Sequence, residues 1–301
     1  MRNIKLILEY DGTNYSGWQS QANANAIQDV VSEAIEKMVE HKVVLRGASR
    51  TDAGVHALGQ VAAFETDRSI PCDGFLKGLN ALFPKDIRVK HCEEAVNNFH
   101  PTRDAKWKEY HYLLETGETP SALNRNRAWW AGPALDMAAM EEASRCLIGE
   151  HDFKSFQGQQ ADTKTTVREL NDIRITPLLC KEGGGISTPS KQVRKHTLLK
   201  QTVCLGPLDQ VFLFAPPLQR GRVRLGFRAP GFLKYMIRNM VGTLVEVGQG
   251  KRSAGEVKTI LESLDRRKAG GCAPACGLYL MQVAYVIPVK TGIPGSPLPR
   301  G

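Results

Sequence analysis

The chain has 301 residues, of which 42% are hydrophobic and 24% are charged, and its formal net charge is +9. This composition is typical of a globular protein, and the length predicts about two domains. No apolar run approaches the roughly 18 residues that a membrane-spanning helix needs, and Met1 leads almost directly into a strand pattern without a secretory signal. The basic balance favours an anionic partner, and nucleic acid is the first candidate.

The seven cysteines are odd in number and scattered, and none forms a Cys-x-x-Cys pair. This usage is typical of reduced thiols and predicts a cytoplasmic location. The closest pair, Cys272 and Cys276, has no second cysteine or histidine pair at zinc-ligand spacing. We therefore predict no metal site.

Hydrophobic periodicity in the first third of the chain switches between the strand and helix periods in the order β-α-β-β-α-β, which is the ferredoxin-like order. Asn25 is placed to cap the first helix, and Pro71 suits the start of the second. The predicted elements are a strand at Ile4–Tyr10, a helix from Ile27 to Met38, strands at Val43–Leu45 and Gln60–Thr66, a helix from Pro71 to Leu82 and a strand at Ile87–Cys92.

A polar, glycine-punctuated loop from Arg46 to Ala57 lies between two of these strands. It places Asp52 at the tip of a hairpin, where loops on rigid scaffolds commonly carry catalytic groups. Arg50 and His56 add a cation and an imidazole to the same segment. The loop alone is equally compatible with an ordinary hairpin turn that Asp52 caps.

The rest of the chain repeats the β-α-β-β-α-β order in looser form. The predicted elements are a strand at Lys106–Leu114, a helix at Met137–Ile148 capped by Asp136, strands at Val167–Ile175 and Arg222–Phe227, a helix that includes Phe232 to Leu244, a short helix with a capping box at Ser253 and Glu256, and a strand at Leu278–Tyr285. Between the central strands, residues from about 176 to 221 show neither period and are predicted to form a flexible insertion.

The predicted fold is therefore α+β, with two ferredoxin-like (RRM-like) domains that have antiparallel sheets and a cleft between them. The first domain covers residues 1–100 and carries the polar loop. The second covers residues 101–287 and includes the insertion, and residues 288–301 are predicted to be a disordered tail.

Several separated motifs, in this order, resemble the tRNA pseudouridine synthases that act on the anticodon stem-loop. They are Tyr10-Asp11-Gly12-Thr13 with Tyr15, Gly17, Trp18 and Gln19; Arg50-Thr51-Asp52-Ala53-Gly54-Val55-His56; Leu79-Asn80-Ala81-Leu82; Phe99-His100 with Lys108-x-Tyr110-x-Tyr112; Gly149-x-His151-Asp152-Phe153; Phe232-Leu233 with Met236-Ile237-Arg238-Asn239-Met240-Val241-Gly242; and Gly277-Leu278-Tyr279-Leu280. The resemblance spans roughly residues 3 to 286 apart from the insertion.

The resemblance implies an isomerase that converts uridine to pseudouridine at positions 38, 39 and 40 of tRNA. Asp52 would be the catalytic nucleophile or the base toward the ribose. Uridine and pseudouridine are isomers, so one carboxylate can serve without a metal, nucleotide or redox cofactor. The implied substrate-binding residues are Arg50, which fills the space of the flipped base, Tyr110, which stacks on the uracil, Arg238, which pairs with Asp52, and Phe232 and Leu278, which line the pocket. The resemblance also implies a homodimer, and we expect no membrane partner.

The sequence departs from the family pattern at two positions besides the insertion. Ser49 stands where many members have glycine, and Thr102 stands where arginine is expected, with Arg103 one place later. Two other functions were weighed against the isomerase. One is a catalytically silent RNA-binding module. The other is a hydrolase built from Ser49, Asp52 and a histidine such as His56 or His151, although Ser49 lies in no Gly-x-Ser-x-Gly elbow.

Overall fold

The computed structural model describes residues 1–159, 163–178 and 221–285. The strands are β1 (Arg2–Tyr10), β2 (Arg46–Gly47), β3 (His56–Thr66), β4 (Ile87–Ala95), β5 (Ala105–Glu115), β6 (Trp129–Trp130), β7 (Gly149–Asp152), β8 (Val167–Leu170), β9 (Asp172–Pro177), β10 (Arg222–Ala229) and β11 (Leu278–Tyr285). The helices are α1 (Ile27–Val39), α2 (Cys72–Leu82), α3 (Met137–Arg145), α4 (Met236–Gly248) and α5 (Ala254–Ser263). The predicted α+β class, with mostly antiparallel strands, is confirmed.

The chain divides into two compact units. Of the described residues, the first unit contains 1–109, 229–231 and 280–285, and the second contains 110–159, 163–178, 221–228 and 232–279. The boundary between the units is crossed within β5, at the end of β10, after residue 231 and within β11.

In the first unit, β1 lies between β4 and β3 and pairs antiparallel with both. Strand β11 lies on the other side of β3, and the short β2 also pairs with β3. Alternate residues of β1 are buried, namely Ile4, Leu6, Leu8 and Tyr10, as expected for a strand with one face on the core. Phe75 of α2 packs edge-on against Phe64 of β3, with ring centroids 5.5 Å apart.

Two local predictions in the first unit were wrong. Residues Val43–Leu45 are not a strand, because side chains of α1 bind their backbone: the Gln28 amide donates to the Leu45 carbonyl (2.9 Å) and Glu36 accepts from the Val43 N–H (3.3 Å). Helix α1 starts after Ala26 without a side-chain cap. The Asn25 amide donates instead to the Asn14 carbonyl, 3.2 Å away.

In the second unit, β10 lies between β5 and β9 and pairs antiparallel with β9. The strand predicted at Val167–Ile175 is in fact two strands, because β8 pairs with β7 in a separate two-stranded sheet. Asp136 caps α3 as predicted and accepts from the Ala139 N–H, but the helix ends at Arg145 rather than Ile148. The predicted capping box of Ser253 and Glu256 is confirmed at the start of α5.

The predicted insertion and tail fall largely outside the described residues. Of the insertion, residues 176–178 and 221 are described, and of the tail none is. The Leu178 N–H donates to the Arg222 carbonyl at 2.8 Å, so the last described residue before the gap lies beside the first residue of β10. The two strands that flank the gap, β9 and β10, therefore pair antiparallel with each other.

Helix α4 is buried along most of its length and is anchored to the segment that follows α5. The Thr243 hydroxyl accepts from the Gly270 N–H at 2.9 Å, and Glu246 accepts from the Gly271 N–H at 3.1 Å. At Gly242 the two backbones come so close that a Cβ atom would overlap the Gly271 carbonyl oxygen. Glycine is therefore required at this position by packing.

We predict that Gly242→Ala lowers the free energy of unfolding by about 1 to 3 kcal/mol or more, because both obstructing groups are backbone atoms that must move. Gly255→Ala is the matched control, since its Cβ meets no atom within 4 Å in helix α5. That control should gain about 0.5 kcal/mol from helix propensity. Urea denaturation measures both, and equal effects of the two substitutions would contradict the packing argument.

Candidate catalytic site

Asp52 lies in the loop between β2 and β3 and is partly buried, whereas its neighbour Arg50 is exposed. The Val55 N–H donates to the Asp52 carbonyl at 3.1 Å, which closes a tight turn around Gly54. The turn leaves the Asp52 side chain on a short, backbone-bonded segment rather than at the end of a long loop.

The N-terminal motif holds this loop from one side. The Trp18 N–H donates to the Thr51 carbonyl at 3.0 Å, and the Gly54 N–H donates to the Tyr15 carbonyl at 3.3 Å. The hydroxyls of Tyr10 and Thr51 share a hydrogen bond of 2.8 Å. These bonds hold the motifs at residues 10–19 and 50–56, which are distant in sequence, next to each other in the structure.

Gly17 makes the close approach of these two segments possible. Its φ is +96°, a left-handed conformation that side chains rarely adopt, and a Cβ atom there would lie 2.6 Å from the Thr51 carbonyl oxygen. The close contact of the backbones is therefore built around a residue without a side chain.

Strand β3 holds the loop from the other side through Gln60, which is completely buried. The Gln60 amide nitrogen donates to the Ser49 carbonyl at 2.6 Å, and its oxygen accepts from the Ser49 N–H at 3.2 Å. Gln60 was not predicted as a site residue. The available signal was an amide side chain at the start of an otherwise apolar strand, because a buried amide needs polar partners.

Both departures from the family pattern lie in this anchored region. Gln60 binds both the N–H and the carbonyl of Ser49. The Thr102 hydroxyl donates to the Gly47 carbonyl of β2 at 2.9 Å. Thr102 thus takes up a backbone carbonyl at the start of the loop.

Behind the loop, His56 is buried and its Nδ1 lies 3.1 Å from both Asp11 Oδ1 and the Gly12 nitrogen. A single ring nitrogen cannot donate to Asp11 and accept from Gly12 at the same time, so the tautomer decides which bond forms. With the proton on Nδ1, His56 donates to Asp11, and this bond, with further bonds from Thr13, holds the pKa of Asp11 well below its usual value of 3.8. His56 therefore joins the two motifs as a structural residue.

The other four predicted site residues lie in the second unit. Tyr110 of β5 is buried, and its ring packs edge-on against Phe232 with centroids 5.3 Å apart. Leu278 is buried at the start of β11. The structure thus brings Tyr110 and Phe232 together in the second unit, whereas Asp52 and Arg50 are near neighbours in sequence on one loop of the first unit.

Arg238 lies in the first turn of α4 and is partly buried. Its Nε donates to the Ala273 carbonyl at 2.7 Å, and the Ala273 N–H donates back to the Arg238 carbonyl at 3.1 Å. The guanidinium carbon lies 4.9 Å from the centre of the Tyr235 ring. These contacts fix the direction of the guanidinium, whereas the side chain of a fully solvated arginine is free to turn.

Comparison with known proteins identifies the family. Residues 6–102 and 143–286 match the family model described as tRNA pseudouridine synthase. The chain belongs to this family. Among its relatives are the proteins named tRNA pseudouridine synthase A from Acetivibrio thermocellus, which is 40% identical over 285 residues, and from Geobacter sulfurreducens, which is 41% identical over 285 residues. Each match covers 95% of this chain and 100% of the relative.

The matched ranges of the family model include the anchored loop and α4, and so contain Asp52 and Arg238. Within the described part of the chain, no group of three or more His, Cys, Asp or Glu side chains is arranged to hold a metal ion. No helix among the described residues is long and apolar enough to cross a membrane.

We predict that the link between Asp11 and His56 makes stability depend on pH. Folding lowers the pKa of Asp11, so the ionised carboxylate stabilises the folded protein at pH values above the ordinary pKa of 3.8. This contribution is lost progressively as the pH falls below 3.8 toward the pKa of the folded state. Asp11→Asn should therefore be destabilising at about pH 6, and the difference from the unsubstituted protein should shrink at about pH 3.

Urea denaturation at the two pH values checks this prediction. Asp73→Asn serves as the control, because Asp73 is an exposed carboxylate at the start of α2. A destabilisation by Asp11→Asn that stays constant or grows as the pH falls would contradict the assignment.

Proposed function

We propose that this protein isomerises uridine to pseudouridine at positions 38, 39 and 40 of the tRNA anticodon stem-loop, with Asp52 as the catalytic residue. The observation that carries the proposal is the loop of Asp52, which the motif at residues 10–18 and the buried Gln60 hold by backbone hydrogen bonds. Family membership supports the reaction, and the names of the relatives support tRNA as the substrate.

The reaction breaks the N1–C1′ bond of uridine, turns the uracil and joins C5 to the ribose. Substrate and product are isomers, so no electron carrier is consumed and one carboxylate can act as the nucleophile or as the base toward the ribose. A target uridine in a loop costs less to unstack than one in a duplex. The exposed Arg50, two residues from Asp52, is suited to fill the space that the flipped base leaves.

The uracil-binding role falls to Tyr110, with Phe232 and Leu278 as apolar pocket residues. The edge-on contact with Phe232 supports this role, because it holds the ring of Tyr110 in one orientation for stacking on a base. Arg238 supplies the cation that keeps the catalytic carboxylate ionised in the complex with RNA. Its bond to the Ala273 carbonyl supports a fixed direction for that cation.

The proposal includes the finer architecture and setting of the protein. In each part of the chain the element order is that of a ferredoxin-like domain, with the first domain at residues 1–100 and the second at 101–287. The protein would act in the cytoplasm as a homodimer. Its net charge of +9 would be attracted to the negatively charged backbone of its RNA substrate. It would need no metal or nucleotide cofactor.

Release of tritium from tRNA that carries C5-tritiated uridine tests the proposal, because only the isomerase replaces the hydrogen at C5. Asp52→Asn should lower this release by at least about a thousandfold while folding and tRNA affinity stay nearly unchanged. Asp73→Asn makes the same charge change on an exposed position of α2 and should keep full activity. Substantial turnover by Asp52→Asn would refute the role of Asp52, and a silent RNA-binding module would show no release in any variant.

Arg238→Ala should lower the single-turnover rate by about 10 to 150-fold, the range expected for the loss of a charge-assisted hydrogen bond. Arg238→Lys should recover little of that rate, because an ammonium group lacks the planar fork of a guanidinium. Arg145→Ala is the control, since Arg145 is exposed in the last turn of α3. Equal rates for the unsubstituted protein and both Arg238 variants would show that Arg238 has no part in the reaction.

A further inference from the structure

Lys108 is a buried cation near the catalytic loop to which neither the motif resemblance nor the proposed mechanism gives a role. It lies in β5 and is only 8% exposed, although lysine is almost never this buried without a partner. Burial lowers the pKa of Lys108 to about 8, because the ammonium group is removed from water here.

The partner of Lys108 is a backbone carbonyl at the start of the catalytic loop. Its Nζ donates to the Ala48 carbonyl oxygen at 2.6 Å. The Ala48 N–H donates to the Val61 carbonyl of β3 at 2.8 Å, so both polar groups of the Ala48 backbone are bound. Ala48 therefore serves as a fixed point four residues before Asp52.

Between Ala48 and Asp52 the segment is also bound at Ser49 and Thr51. Gln60 binds the N–H and carbonyl of Ser49, the backbone N–H of Trp18 donates to the Thr51 carbonyl, and the Tyr10 hydroxyl shares a hydrogen bond with the Thr51 hydroxyl. Gln60 and Tyr10 are neutral side chains, whereas Lys108 makes a charge-assisted hydrogen bond, a class that is in general stronger than a neutral one. The first anchor of the segment is thus made by a charged donor.

A purely structural role would not require a charge at this position. Methionine has nearly the same length and would fill the space without the cost of removing an ammonium from water. What methionine cannot do is fix the direction of the Ala48 carbonyl. The ammonium thus fixes the direction of the Ala48 carbonyl, which an apolar side chain of the same length could not do.

We propose that Lys108 is a positioning residue for the proposed isomerisation: its ammonium fixes the Ala48 carbonyl and, through the anchored segment 48–52, the place of the Asp52 carboxylate. Lys108 does not touch the substrate in this account, and the inference rests on the proposed function. A displacement of about 1 Å at a reacting group can cost about a hundredfold in rate, so loss of one anchor is measurable.

The test compares Lys108→Met, Lys108→Arg and Lys106→Met by single-turnover tritium release at saturating tRNA near neutral pH. Lys106 is an exposed lysine of the same strand, and its substitution removes the same charge without touching Ala48. We expect Lys108→Met to lower the rate about tenfold or more with its tRNA dissociation constant changed less than about twofold. Lys108→Arg should recover part of the rate, and Lys106→Met should keep the full rate.

A folded Lys108→Met protein with an undiminished rate would overturn the proposal. So would a loss of rate matched by an equal loss of tRNA binding and of the melting transition, because that pattern indicates a general structural defect. Lys108→Gln, which keeps a donor but no charge, is measured in parallel, and a folded Gln variant at full rate would also overturn the role of the charge. The unsubstituted protein and Asp52→Asn in the same assay distinguish failure of this inference from failure of the proposed function.

Discussion

The site depends on one constraint, the hydrogen bonds that hold the backbone of the loop that carries Asp52. Trp18 binds this loop from the N-terminal motif, and Gln60 and Lys108 bind it from β3 and β5. A loop whose carbonyl and N–H groups are satisfied in one arrangement has little freedom to leave it. Such a loop can hold a carboxylate in place before substrate arrives, which lowers the cost of reaching the transition state.

In the second unit, buried hydrogen bonds hold helix α4 in place in a similar way. Asn239 is buried, donates to the Phe156 carbonyl at 2.7 Å and accepts from Arg266 at 2.8 Å. Together with the close backbone contact at Gly242, these bonds fix the start of α4 and so the position of Arg238. In this motif, Asn239 is therefore explained by its hydrogen bonds and Gly242 by the close backbone contact. Arg238 is explained by the guanidinium that it supplies.

The strands and helices with strong periodicity could be predicted from the sequence, as β1, α2 and β10 show. The errors came where side chains compete with regular backbone pairing. Gln28 and Glu36 take up the backbone of the expected strand at Val43–Leu45. Motif resemblance pointed to Asp52 and to the family. The amide of Gln60 in an apolar strand was a local signal, whereas the anchoring role of Lys108 depends on a contact with Ala48, 60 residues away in sequence, that no local pattern contains.

The most direct measurement of the central claim is a map of pseudouridine in an unmodified tRNA transcript after incubation with the protein, read by carbodiimide labelling and primer extension. Pseudouridine keeps the bulky label, so each new one stops the polymerase. The account predicts new stops at the anticodon-arm uridines with the unsubstituted protein and none with Asp52→Asn. Absence of new stops with the unsubstituted protein, or the same stops with Asp52→Asn, would contradict it.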